Sequence, residues 1–405
     1  MTKLSMMSGA TRRMLLAGAI FFSLANSALA LDGADLLAKI NAVRQLKEDR
    51  FVADSIAVVG TTVTMTGVRL VRAESGKEPL SMGLVTMVGV KEEPDGYRIG
   101  KIFFNDIDES RGGETFSARD MVMTGLFVPN VSKPDTLDSM FNFDRFTGGP
   151  MRYTMSGKEM FRISGFAINF DVTEDRNALG FDGRISDIFL DLTGVTDPDP
   201  RETIDGLGLQ QLNGNIAIDG AWLLDTGQIF QKYSVDIDNV GSLSVDFSFG
   251  GYRIGFEDKI SKALDEAKKN PDQAAGRQAM MASLMHYARD LTFESASIRF
   301  IDDGITARLL AFKAKNRGIS VQEMVSRMKS ATPAMLARLK TPMLEKQIET
   351  AFGAFLDNPR NLRLSAIPAK PLPVPLVIGA AMGDGTNFVK TVNLQFVANE
   401  PAETE

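Results

Sequence analysis

The 405-residue chain contains no cysteine, one histidine and one tryptophan. Without a thiol there is no disulfide, no thiolate nucleophile and no thiolate ligand. With His286 as the only imidazole, the usual zinc sites and a Ser-His-Asp triad would all depend on that one residue. His286 lies in "DQAAGRQAMMASLMHYARD", a helical stretch with Ser283 one turn earlier and no third group to orient the pair, and it reads as an ordinary helix histidine. Positive charge is also scarce: 45 Lys and Arg stand against 51 Asp and Glu, a net charge of -6. That balance argues against nucleic acid and against attraction to anionic headgroups.

Phosphate-binding glycine loops are missing as well, since neither G-x-x-x-x-G-K-[ST] nor G-x-G-x-x-G stands between a strand and a helix. The acidic turns "DVTEDRNALGFDGRISD" and "TDPDPRETIDG" lack calcium-loop spacing. Asp302 and Asp303 fall in a turn, and Asp236, Asp238 and Asp246 fall on the wet side of strands, where a carboxylate pair tuned for acid/base work is not expected. No catalytic residue, metal or cofactor is expected, and the chain reads as non-enzymatic.

There is one long hydrophobic run, "MLLAGAIFFSLANSALA" from Met14. Lys3, Arg12 and Arg13 precede it and Ala28 and Ala30 close it in an A-x-A pattern. This is the form of a secretory signal peptide cut after Ala30, and it is too short and interrupted for a membrane span of ~20 apolar residues. Arg12-Arg13 leaves both the general and the twin-arginine export routes open. The expected mature protein is periplasmic, with at most a peripheral membrane association. Losing the three positive charges of the signal takes its net charge to -9. An exported chain of this size without disulfides must be held by its core alone.

What is present is mostly alternation. "DGADLLAKINAVRQLKE" sets Leu36, Leu37, Ile40, Val43 and Leu46 at helical spacing, an amphipathic helix suited to lie as a lid on the strands after it. From Phe51 the period becomes two. In "YSVDIDNVGSLSVDFSFGGYRIGF", Tyr233, Val235 and Ile237, then Leu243, Val245, Phe247 and Phe249, alternate with Ser and Asp. Gly250-Gly251 predicts a hairpin turn with a return through Tyr252, Ile254 and Phe256.

The phrase Arg-Ile followed by Gly or Ser occurs four times, at Arg98, Arg162, Arg184 and Arg253. Its irregular spacing favours similar strand openings, with Arg wet and Ile dry, over a strict repeat. Helical inserts come next over 256–290. Three short helices are then expected between Ser320 and Asp357, punctuated by a Ser320–Glu323 capping box, Thr332-Pro333 and Thr341-Pro342. The stretch with Pro368, Pro371, Pro373 and Pro375 predicts an edge strand or a segment outside the sheet.

The order of helix, "FVADSIAVVGTTVTMTGVRLVRA", long meander and "SIRFIDDGITARLLAFKAKNRGISVQEM" resembles uncharacterised proteobacterial exported envelope proteins of the DUF945 and AsmA-like kind. The semi-specific element is Asp302-Asp303-Gly304 followed by Arg308-Leu309-Leu310 and Gly318. The resemblance implies curved β-sheets enclosing an apolar groove and an envelope role in handling lipid or outer-membrane components. The chain is much shorter than the large AsmA-like proteins.

The expected fold is thus α+β and β-rich: an extended, curved antiparallel sheet, a taco-like meander, with helical inserts and a helical segment near the C-terminus. Its parts are a signal peptide (1–30), a helix and meander (31–255), a helical insert (256–290), a strand, three-helix segment and C-terminal strands (291–399), and a disordered acidic tail (400–405). The apolar side of the sheet is the candidate site, with Phe247, Phe249, Tyr252, Ile254 and Phe256 as groove or core residues. It would hold lipid if open and form a packed core if roofed by the helices. The alternative is an interaction module that docks an envelope protein through an edge strand or the helical tail.

Overall fold

The computed structural model describes residues 31–43, 49–72, 79–131, 137, 143–270, 272–337, 340–383 and 385–401. The expected signal peptide and residues 402–405 of the tail lie outside the described residues. Helix α1 (Gly33–Asn41) precedes thirteen strands: β1 (Arg50–Val52), β2 (Ser55–Val59), β3 (Thr62–Val71), β4 (Leu80–Glu93), β5 (Gly96–Phe104), β6 (Ile107–Arg111), β7 (Glu114–Ala118), β8 (Val122–Pro129), β9 (Arg145–Gly148), β10 (Met151–Met155), β11 (Lys158–Ile163), β12 (Gly165–Val172) and β13 (Ala178–Asp191). Helix α2 (Pro198–Leu207) leads to β14 (Gln211–Leu223), β15 (Gln228–Ile237) and β16 (Gly241–Gly250). Helices α3 (Phe256–Lys269) and α4 (Gln273–Tyr287) come before β17 (Thr292–Asp302). Next are α5 (Ile305–Asn316), α6 (Val321–Leu336), α7 (Pro342–Asp357), β18 (Asn361–Ala366), β19 (Leu372–Pro373), α8 (Val374–Met382), α9 (Gly385–Thr391) and β20 (Leu394–Ala398).

Every strand pairing among the described residues is antiparallel. Neighbours run β3, β4, β5, β8, β9, β12, β13, β14, β15, β16, β17, β18, β20, with β1 and β2 sharing the outer edge of β3 and β19 continuing the place of β18 beside β17. Among the described residues β20 pairs with β18 alone, so the sheet is open. At ~4.8 Å per strand it measures roughly 60 Å along its hydrogen-bonded direction. The expected β-rich α+β class with one large antiparallel sheet is therefore what the chain forms.

A second set of pairings, β6 with β7, β7 with β10, β10 with β11 and the end of β11 with β13, continues five of these strands past a line of interruptions. Along that line Asp106 Oδ1 accepts from the Asp120 amide (3.2 Å). The Gly149 amide donates to the Arg119 carbonyl and that of Ser164 to Ser186, and Asn215 Oδ1 accepts from the Asp187 amide (3.1 Å). Asp120 and Asp187 have φ of 54° and 51°, the left-handed region that Asp tolerates better than most residues. Short polar side chains thus satisfy the backbone where the ladder breaks, and bulges of this kind bend and twist a sheet.

Positive-φ glycines add to the bending. At Gly125 (φ 70°) a Cβ would lie 1.9 Å from the Asp144 carboxylate, and at Gly67 (φ 61°) 2.0 Å from that of Asp54. Each site admits only glycine because a neighbouring carboxylate fills the side-chain position.

Several local expectations are corrected. The hairpin turn of the alternating stretch is at Asn239 (φ 59°) and Gly241, between β15 and β16, and not at Gly250-Gly251. Gly251 (φ 78°) instead packs against the Asp290 carbonyl, and Tyr252 to Gly255 form a loop into α3 in place of a return strand. Three copies of the Arg-Ile phrase do lie in strands, with Ile99 and Ile163 buried. The fourth, at Arg253, is in that loop.

Thr332-Pro333 does not end a helix: α6 runs through Pro333, and the Thr332 hydroxyl donates to the Met328 carbonyl one turn back (2.8 Å). Among the described residues two helices, not three, therefore occupy 320–357. The capping box is half made, since Ser320 accepts from the Glu323 amide (3.1 Å) while the Glu323 carboxylate pairs with Arg327. "VPLVIGAAM" is helix α8, started by proline at its first turn, in place of an extended run. The tail is anchored at Glu400, whose carboxylate meets Arg363 at 2.7 Å.

One buried charge stabilises the bent region. Asp191, 4% exposed, accepts from the Thr193 amide (2.8 Å), from its hydroxyl and from Lys158 Nζ (3.2 Å). Chiefly the Thr193 hydroxyl, with help from that amide, Lys158 and Gln211, lowers its pKa to about 2 against the burial that opposes it. A carboxylate depressed in the folded state contributes stability above its unfolded pKa near 3.8 and loses it as pH falls toward 2. Urea titrations between pH 5 and pH 2 should show a steeper acid loss for the wild type than for Asp191→Asn, which should be less stable at pH 5 by about 2 kcal/mol.

Candidate functional site

Residues directly opposite one another in an antiparallel ladder share a face, so the register traces each face across the sheet. One row runs Val63, Met87, Ile102, Met123, Phe146, Ile168, Gly183, Ile218, Tyr233, Val245, Ile298, Leu364 and Phe396. This row crosses thirteen strands without one charged side chain. The adjacent position gives Thr64, Thr86, Phe103, Val122, Thr147, Ala167, Arg184, Ala217, Ser234, Ser244, Arg299, Arg363 and Val397, a largely polar face. The sheet thus has one continuous apolar side.

Aromatic rings line that side in two series. Phe104, Phe146 and Phe166 meet edge to face at 5.8 and 5.1 Å, and Phe143 links Phe146 to Phe170, which lies 6.3 Å from Phe181. Tyr233 stacks on Phe247 at 6.1 Å, and Phe249 and Phe293 continue the series. The Phe181 ring covers Gly220 and the Phe166 ring covers Gly148; a Cβ at either glycine would come within 2.2 Å of the ring. The glycines let the rings lie flat on the sheet.

The two ends of the apolar side are covered. At one end α1 lies across β3, β4, β5 and β8, burying Leu36 and Ile40 with Val63, Met65, Ile99 and Val128. Two polar latches hold it. Tyr97 Oη donates to Asp35 Oδ2 at 2.7 Å, with Lys39 paired to Asp35 and set 4.6 Å over the Tyr97 ring. Asn41 exchanges two hydrogen bonds with the Phe51 backbone (2.7 and 2.9 Å). Hydrogen bonds from Lys39 and then Tyr97 hold the Asp35 carboxyl below its usual range, while burial, then Asp35, pushes the Tyr97 phenol up.

At the other end Phe355 of α7 meets Phe300, and Val377 of α8 and Phe388 of α9 pack around Phe293 and Leu394. Between the covers the side is open: Ile168 and Tyr233 are 38% exposed, Leu243 45% and Ile298 47%.

Beneath α1 the apolar side deepens into a half-open cavity of about 410 Å³. Of its eighteen lining residues only Ser81 and Asn105 are polar. The wall includes Met65, Met82, Met87, Met121 and Met123, and Phe104 and Phe146 connect it to the open face.

Of the residues that alternation points to, Phe247 and Phe249 lie half-buried on the apolar side. Tyr252 and Ile254 sit beyond the strand beside Trp222, with Tyr252 5.4 Å from Phe256 at the start of α3. None of the five lines the cavity. The cavity residues escape a reading of the sequence, although the alternation in β3 and "MVM" at 121–123 carry their signal.

The turn carboxylates serve the backbone. Asp302 accepts from the amides of Gly304 and Thr306, and Asp303 from that of Asn239. His286 is exposed on α4 against Tyr287. Among the described residues no helix is long and apolar enough to cross a membrane.

A family model with the description "uncharacterized protein" matches residues 234–399, from within β15 to the end of β20. No curated protein matches the chain.

Proposed function

We propose that this is a non-enzymatic, exported protein of the periplasm that holds lipid on the apolar side of its sheet. The observation that carries this reading is the uncharged row crossing thirteen strands, covered at both ends and open over β12 to β17. A soluble chain gains nothing from leaving Ile298, Leu243 and Tyr233 in water, whereas a surface that takes up acyl chains needs such an opening. Contacts of this kind are non-directional, so the face selects for apolar character and not for a particular head group. The signal-peptide pattern and the resemblance to envelope proteins support a location where such lipids occur.

Native mass spectrometry with lipid extraction, on protein purified from the periplasm without detergent, tests this. Stoichiometric lipid is the expected result. A clean apo mass that persists after incubation with envelope lipids would refute it, and a co-purified protein in lipid's place would favour docking of a partner through an edge strand or the helices at 320–357.

A further inference from the structure

The cavity beneath α1 is a different kind of place from the open face, because it has a floor, walls and a size. Met65, Val68, Val85, Met87, Ile102 and Leu126 close its inner part and are all at most 5% exposed. The polar lining residues, Ser81 and Asn105, are exposed and stand with Leu80 at the rim. A sugar, peptide or nucleotide entering it would leave buried polar groups without partners, at a cost of roughly 2–7 kcal/mol each. An aliphatic ligand meets no such cost.

The volume narrows the class further. About 410 Å³ lies near the lower limit of ordinary ligand sites. A pocket of this size suits the end of an acyl chain and not a whole diacyl lipid with its head group. Five methionines in the wall suit a flexible guest, since unbranched thioether chains adapt to irregular shapes.

Resting on the reading of the sheet as a lipid-binding surface, we propose that this cavity seats a single unbranched acyl chain, methyl end innermost, with its head group outside at the Leu80, Ser81 and Asn105 rim. The open face leads to it through Phe104 and Phe146. Helix α1 forms its lid, with Leu37 and Ile40 pointing in.

The test is displacement of cis-parinaric acid from the delipidated full chain by saturated fatty acids of eight to eighteen carbons, each below its micelle concentration. Every added methylene should tighten binding about 4-fold, which is ~0.8 kcal/mol, until the cavity is full at a chain length within this series. Longer chains should then gain almost nothing. Met87→Trp, which fills the floor, should move that plateau to shorter chains, and Met121→Trp, a half-buried site less exposed to overpacking, does so if the first variant does not fold.

A lysophospholipid of the same chain should compete as well as the free acid. If it fails where the acid binds, the head group sits inside and the assigned orientation is wrong. Affinity that keeps rising with length, or a plateau unmoved in a folded variant, overturns the proposal. Should lipid still bind without a plateau and be lost on Leu243→Glu with Ile298→Glu, this inference alone fails; if nothing displaces the probe and no lipid co-purifies, the reading of the sheet fails with it.

Discussion

A chain carrying Leu243→Glu and Ile298→Glu should lose the lipid held on the open face and keep its fold. Both residues are about half exposed in the uncovered middle of the apolar side, in the neighbouring strands β16 and β17. A carboxylate there remains solvated in the empty protein, so folding loses little; substitutions at exposed sites typically change stability by about 0.5 kcal/mol or less. With lipid on the face, the same carboxylates would have to give up water to an acyl chain, which disfavours binding strongly. Lipid extraction and a urea melt on one preparation check both halves: lipid per chain falling to no more than the one acyl chain of the cavity, with an unchanged unfolding midpoint. Unfolding of the variant would instead mark these positions as core.

The second large effect is expected at the lid. Tyr97→Ala should cost roughly 4 kcal/mol, because it empties the space of a fully buried aromatic and removes the hydrogen bond that ties Asp35 of α1 to the sheet. Tyr97→Phe keeps the packing and loses the hydrogen bond to a carboxylate, at about 1.5–3 kcal/mol. Urea unfolding should rank wild type, Tyr97→Phe and Tyr97→Ala in that order. Limited proteolysis should cut first near α1 in the alanine variant, since the helix depends on this latch and on the Asn41–Phe51 pair. Equal stability of all three would mean that α1 is held by Leu36 and Ile40 alone.

The alternation of Tyr233 to Ile237 and of Leu243 to Phe249 made the sheet and its two-faced character legible from the residues. α1 was legible as a covering helix because Leu36, Leu37 and Ile40 form one stripe. Register was not legible: that Ile168, Tyr233, Val245 and Ile298 fall in one row depends on turns such as Asn239 and on bulges whose position no local pattern fixes. Gly250-Gly251 misled for the same reason, since a glycine pair serves a close approach to the Asp290 carbonyl as readily as a hairpin.

Pro333 misled because α6 continues through it where Thr332-Pro333 reads as a helix start. The cavity was hidden because its wall is drawn from α1 and strands β1, β3, β4, β5, β6, β8 and β9, and each residue taken alone, such as Met87 or Ile102, looks like ordinary core. Phe247 and Phe249 were found from alternation alone. Phe104 and Phe146, which join the cavity to the open face, come from strands where the alternating run is short.

The central claim is that one side of the sheet, and not the other, contacts lipid. Tyr233 and Lys232 are neighbours on β15, both exposed, and point to opposite sides. A photo-reactive phenylalanine analogue placed at each position in living cells, with mass analysis of the purified chain, reads the two sides separately. A lipid adduct at position 233 and none at 232 is the predicted result. Equal adducts at both positions, or none at 233, would contradict it.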